Sequence, residues 1–143
     1  MIEAINPFLN FNGDASEAVA FYQAALGAKV IASMPWSSDM DEGEVPPEVA
    51  SKIMYAKLAI GDGFIELSDV PDTMTATPGT NTHVMVHCTD PDGLDRMFAA
   101  LSEGGEVKMP PENMFWGARY GNLIDRFGIR WAFNCPLSEG GAA

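Results

Sequence analysis

The stretch "INPFLNFNGDASEAVAFYQAALGAKV", Ile5 to Val30, decides the fold. It opens as a strand: Leu9 and Phe11 alternate with Phe8 and Asn10, so one face is set for burial. Asn12-Gly13-Asp14 is turn chemistry. A helix follows, with Asp14 or Ser16 expected as its N-cap and Glu17 in its first turn. Ala18, Phe21, Tyr22, Ala25 and Leu26 recur at helical spacing and form one apolar stripe. Gly27 stops the helix. "KVIASMPW" then reads as a second strand.

The same order returns downstream. "THVMVHCTD", Thr82 to Asp90, is a strand. "PDGLDRMFAALSEGG" is a helix with Asp90 or Asp92 near its cap and Gly104 at its end, and "EVKMP" is a short strand. Adding 77 to the numbering lays Leu9 on Val86, Phe11 on Cys88, Phe21 on Phe98, Gly27 on Gly104 and Val30 on Val107. Strand, helix stripe and stopping glycine all keep register, which marks an internal repeat. Each half closes with two more strands. In the first they are "KIMYAKLAIGDGFIELSD", turning through Gly61-Asp62-Gly63. In the second they lie in "ENMFWGARYGNLIDRFGIRWAFN", Glu112 to Asn134. The predicted fold is α+β: one domain over about 1–136, with βαβββ modules at about 2–70 and 82–136. A Pro-, Thr- and Gly-rich linker spans about 70–81, and a flexible tail covers 137–143. Neither half has the size to close a core easily alone.

At 143 residues, 47% apolar and 20% charged, the chain can bury a core without disulfides or metal. Its net charge of −12 argues against nucleic acid and anionic membranes as partners. The acid is partly local, in "SSDMDEGEVPPE", Ser37 to Glu48, which reads as a solvated loop. Cys88 and Cys135 sit in apolar strands without CxxC spacing, so two free buried thiols in a reducing cytoplasm are expected. "MIEAINPFLNF" has no basic segment and no long apolar run, hence neither a secretion signal nor a membrane span is expected.

The doubled βαββ β plan, "INPFLNFNGDASEAVAFYQAALGAKV" and "FWGARYGNLIDRFGIRWAFN" together resemble the PhnB-like branch of the vicinal oxygen chelate superfamily, which includes glyoxalases and bleomycin-resistance proteins. The resemblance covers Ile2 to Pro136. It implies an incomplete curled β-barrel around a cavity, helices outside, and a homodimer. The branch is sometimes labelled demethylubiquinone methyltransferase-like. A methyltransferase is not expected here, because no glycine-rich strand-to-helix loop with an acidic residue beyond it is present.

Metalloenzymes of this superfamily take four ligands from the first and last strands of each module. On that resemblance His83 and Glu66 match ligand positions. Asn6 and Ala132 (or Trp131, one residue earlier) fall at the other two and do not suit a metal. Strand alternation sets His83, Met85 and His87 against Val84, Val86 and Cys88, and Glu66 with Phe64 and Ser68 against Ile65 and Leu67. His87 stands four residues along its strand from His83, roughly 13 Å at strand rise, too far to share one ion with it. The histidines therefore read as polar lining, as an incomplete metal pair with Glu66 taking Ni, Zn, Mn or Co, or as a proton-transfer pair of His83 with Glu66.

The inward set by alternation is Asn6, Phe8, Asn10, Glu66, Ser68, His83, Met85 and His87, joined by Trp116, Tyr120, Arg119 and Arg130. Ligand-binding residues are expected at Phe8, His83, Met85, His87, Trp116 and Tyr120, and catalytic ones at Glu66 and His83. Trp36, Met40 and Pro46-Pro47 suggest a flap. Phe133 and Trp131 read as core under the second helix, and Asp125-Arg126 as turn chemistry with a salt bridge. Three readings follow: a small-molecule binder without cofactor, a glyoxalase-type metal-dependent lyase, isomerase or transferase, and a drug-sequestering dimer suited by its charge to cations.

Overall fold

A computed structural model describes residues 1–39 and 46–137. Met40 and the rest of the acidic centre of the expected flap lie outside the described residues, as does the tail from 138 onward. The chain divides into two compact units, Met1–Thr77 and Pro78–Ala143.

In the first unit, β1 (Phe8–Phe11) leads into α1 (Ala15–Leu26) and then β2 (Lys29–Pro35). A 3-10 turn (Trp36–Asp39) and a one-turn helix α2 (Pro47–Ala50) precede the hairpin of β3 (Ile53–Ile60) and β4 (Gly63–Asp69). The sheet order is β1-β4-β3-β2; β1 runs parallel to β4 and the other pairs are antiparallel. The second unit repeats this with β5 (Val84–His87), α3 (Pro91–Ser102), β6 (Glu106–Asn113), β7 (Ala118–Ile124) and β8 (Arg130–Pro136), in the order β5-β8-β7-β6. The predicted α+β class with two βαβββ modules is thus observed as two four-stranded mixed sheets, each carrying one long helix. Neither sheet closes into a barrel.

The burial follows the sequence pattern. Leu9 and Phe11 of β1, Ala56 and Leu58 of β3, and Ile65 and Leu67 of β4 are buried with Ala15, Ala18, Tyr22, Ala25 and Leu26 of α1. Gly27 takes the left-handed conformation (φ 68°) that ends α1 without a Cβ clash. In the second unit Leu94, Phe98 and Leu101 of α3 meet Leu123, Trp131 and Phe133, with the Phe98 and Phe133 rings edge to face at 5.5 Å.

The cap of α1 differs from expectation. Asp14 occupies the N-cap position, but its side chain makes no capping bond. Asp69, at the end of β4, does this from a distance: its Oδ1 accepts Gly13 N–H and Ala15 N–H at 2.9 Å, and its Oδ2 accepts Ile53 N–H at 2.9 Å. One buried carboxylate so joins the start of α1, the start of β3 and the end of β4. The second helix is capped locally, by Asp90 Oδ2 accepting Gly93 N–H at 3.0 Å. Asp125 goes beyond the turn role expected of it. Its Oδ1 accepts Phe127 and Ile129 N–H, and its Oδ2 accepts Trp131 Nε1–H at 2.9 Å.

The segment between the sheets is divided rather than spare. Asn12 brackets Ala76, donating to its carbonyl and accepting its N–H. Arg130 Nε donates to Gly79 O within the second unit. "EVKMP" is longer than predicted: β6 runs on past Pro110 through Pro111 to Asn113. A strand at the end of its sheet tolerates prolines, since one row of its N–H groups has no strand to meet, and the β6–β7 register slips at this place.

Candidate functional site

In the first unit the sheet face opposite α1 gathers a mixed cluster around Glu66. Phe8 on β1 and Lys57 on β3 are the register partners of Glu66 on either side. Registered neighbours put their side chains on one face, so the three form a row. Tyr55, two residues from Lys57, donates its hydroxyl to Glu66 Oε1 at 2.5 Å. Its ring meets Phe8 edge to face at 6.5 Å. Lys57 Nζ lies 4.5 Å from the centre of the Phe64 ring. The bond to Glu66 foremost, then burial and the Glu66 charge, raise the Tyr55 pKa, so the phenol stays a donor at neutral pH. Ser68 shares this face by alternation but is buried, its hydroxyl turned to Asp69 O at 3.1 Å. Asn10 is exposed; Asn6 is half-buried and precedes β1.

The second unit presents the counterpart face. Met85 pairs with Ala132, and His87 with Asn134. Ala132 in turn pairs with Asn122, and Asn134 with Tyr120. The two sheets therefore carry equivalent positions: Phe8–Glu66–Lys57 in one is Met85–Ala132–Asn122 in the other. Tyr55 likewise has Tyr120 as its equivalent. Tyr120 accepts at its hydroxyl from Asn122 Nδ2 at 3.3 Å. Trp116, in the β6–β7 turn, stands edge to face with Tyr120 at 6.1 Å and with Phe115 at 5.1 Å. Phe115 is 96% exposed and Trp116 is 53% exposed.

The structure groups Phe8 with Glu66, Trp116 with Tyr120, and Met85 with His87. His83 stands exposed just before β5, and His87 is exposed on it. Glu66 belongs to the first unit and His83 to the second. Arg119 corrects the sequence reading. It leaves the face of Tyr120 and reaches α3, where its guanidinium grips Asp95 at 2.8 and 3.2 Å and also donates to Asn113. Alternation from Tyr120 demands this, since neighbours on a strand point to opposite faces. Trp36 Nε1–H donates to Asp69 O at 2.8 Å, which ties the start of the expected flap to the end of β4. Tyr55 and Lys57 were missed. The signal was present: Tyr55 and Lys57 alternate with Ala56 and Leu58, just as Glu66 alternates with Ile65 and Leu67.

Both cysteines are free and buried, as predicted. Burial foremost, then Cys135 and Asp90, push the Cys88 thiol up to about 11 from its ordinary 9.0, and burial and Asp90 raise Cys135. Thiolate is the reactive form. The folded protein should therefore resist a disulfide reagent such as DTNB at pH 8 and react at both thiols only in denaturant. Raised thiol pKa values favour the folded state while both states keep the proton. That stability is complete below about pH 9 and is lost as pH rises through about 11. Rapid labelling of the native protein at pH 8, or a urea midpoint that does not fall between pH 8 and pH 10.5, contradicts this.

Two βαβββ units with parallel first-to-last strand pairing define the vicinal oxygen chelate class. The sequence model of the Glyoxalase/Bleomycin resistance protein/Dioxygenase superfamily matches residues 4–133, and the chain belongs to that superfamily. It is 29% identical to Protein YjdN of Escherichia coli, over 91% of this chain and 93% of that one. Protein PA1353 from Pseudomonas aeruginosa has a similar crystal structure, with TM-score 0.81 and 31% identity over 96% of this chain and all of that one. A PhnB protein from Bacillus cereus, described as a putative 3-demethylubiquinone-9 3-methyltransferase, shares the fold at TM-score 0.73 and 22% identity, covering 93% of this chain and 99% of that one. Among the described residues no helix is long and apolar enough to cross a membrane.

Proposed function

We propose that this chain binds a small organic molecule on the open aromatic faces of its sheets and does so without a four-ligand metal ion. The observation that carries the reading is the pair of equivalent tyrosines, Tyr55 and Tyr120, each set among further rings and polar groups on the face away from its helix. Flat apolar walls with a few placed donors and acceptors suit a small organic ligand.

Donor chemistry supports the metal-free part. Glu66 is the one carboxylate at the ligand-equivalent positions; its counterpart, paired with Met85 as Glu66 is with Phe8, is the methyl group of Ala132. Asn6 stands where the first unit would need a histidine. One oxygen of Glu66 is already occupied by Tyr55. Among the described residues no three His, Cys, Asp or Glu side chains group as an ion would require.

The test is a thermal-shift screen of small organic compounds on protein purified without a His tag. Compounds that raise Tm should do so equally after EDTA treatment, and the shifts should fall by more than half in Trp116→Ala. Stoichiometric Ni, Zn, Mn or Co by elemental analysis, or shifts abolished by chelator, overturns the metal-free reading. Shifts untouched in Trp116→Ala remove that residue from the site.

A further inference from the structure

The polar centre of the first sheet is not a closed ion pair. Lys57 and Glu66 are register partners, yet no Lys57–Glu66 salt bridge forms; the ion pairs among the described residues lie elsewhere. Tyr55 takes Glu66 Oε1, and the Lys57 ammonium turns instead to the ring of Phe64. A cation over a phenyl ring at a part-exposed site is held only weakly. A hydrogen bond between an ammonium and a carboxylate is the stronger contact. The ammonium is therefore held in place by a weak contact that a stronger acceptor can replace. Phe64 lies beneath it, and the Phe8 and Tyr55 rings, packed edge to face, stand beside Glu66 on the same face.

From this we infer that the first sheet's open face selects a planar aromatic acid, its carboxylate paired with Lys57 and its ring laid against Phe8 and Phe64. The inference rests on the small-molecule reading above and specifies the ligand class. It runs against the sign of the whole chain, −12. At 0.15 M salt, however, charges beyond about 8 Å are largely screened, so the nearest cation governs contact. Tyr55 has a part in this: its bond to Glu66 Oε1 satisfies some of that carboxylate's charge and so weakens its competition for the lysine.

The experiment measures binding of 4-hydroxybenzoate, 4-hydroxybenzyl alcohol and benzylamine by ligand-observed NMR titration. The acid should bind about tenfold tighter than the alcohol, equivalent to about 1.4 kcal/mol. Lys57→Met keeps the apolar stem and removes the charge; it should erase the acid's advantage while leaving the alcohol's affinity unchanged. Glu66→Gln removes a nearby negative charge and keeps an acceptor for Tyr55; it should tighten the acid about threefold. A merely structural role for the cluster would not move the two variants in opposite directions. Equal binding of acid and alcohol, preference for benzylamine, or full acid selectivity in Lys57→Met overturns the inference while leaving the small-molecule reading intact. Failure of all three compounds to bind, with other compounds active in the thermal-shift screen, also overturns it. Failure of every compound in both experiments counts against the broader reading as well.

Discussion

Asp69→Ala should cost the protein about 3–5 kcal/mol, the loss expected when a buried charged acceptor leaves its partners unpaired. Asp69 is fully buried at the end of β4 and receives three backbone N–H groups at 2.9 Å each. Two belong to the entry of α1, where no local side chain supplies a cap. The third opens β3. Alanine leaves all three donors facing a space without an acceptor. Domains of this size hold a margin of about 5–15 kcal/mol, so such a loss takes a large part of it. Urea unfolding followed by circular dichroism measures it. Asp69→Asn separates the parts: its carbonyl oxygen can still accept Gly13 and Ala15, but its amide would face the Ile53 N–H donor to donor. A value near zero for Asp69→Ala would show that water or the backbone satisfies these groups.

Trp131→Ala should be at least as damaging. Trp131 is fully buried in β8 under α3, and its Nε1–H is held by Asp125 Oδ2. Truncating a buried tryptophan costs about 3–5 kcal/mol for lost burial and the cavity left behind. Orphaning one oxygen of a buried carboxylate adds about 1–3 kcal/mol. Trp131→Phe keeps a six-membered aromatic ring but loses the pyrrole part of the indole with its N–H, so about 1–3 kcal/mol for the orphaned carboxylate oxygen is expected, plus a smaller cavity cost than alanine's. Chemical denaturation of both variants gives the comparison. Equal losses for Phe and Ala would assign the whole effect to the Asp125 bond; no loss for Phe would assign it to packing alone.

The local part of this architecture was legible in the sequence. Leu9 and Phe11 showed the buried side of β1, the Ala18–Leu26 stripe gave α1, and Gly27 marked its end, because each depends only on periodicity and backbone freedom. The faces of Met85 and His87 followed from the same alternation. What escaped depends on residues far apart in the chain. Nothing near Asp14 indicates that Asp69 caps its helix. Nothing near Arg119 names Asp95 as its partner, although counting from Tyr120 would have placed it on the helix side. Tyr55 was hidden differently: it sits in an apolar run whose strand was recognised, but the outward residues of that strand were not weighed against Glu66. The overlay by 77 serves each unit through its second strand, β2 on β6, and fails beyond it. The first unit carries the acidic stretch and α2 between β2 and β3, where the second has only the turn at Trp116.

The two prolines of β6 have a bearing on how copies of this protein behave when crowded. β6 ends its sheet, and a bare final strand is a template on which a foreign strand can add. Pro110 and Pro111 offer no amide hydrogens, and they fall where the pairing with β7 slips. An incoming strand would meet a missing donor and a slipped register midway along. The irregularity thus serves as a guard against runaway polymerisation along that edge, at a position where ladder hydrogen bonds could otherwise have formed.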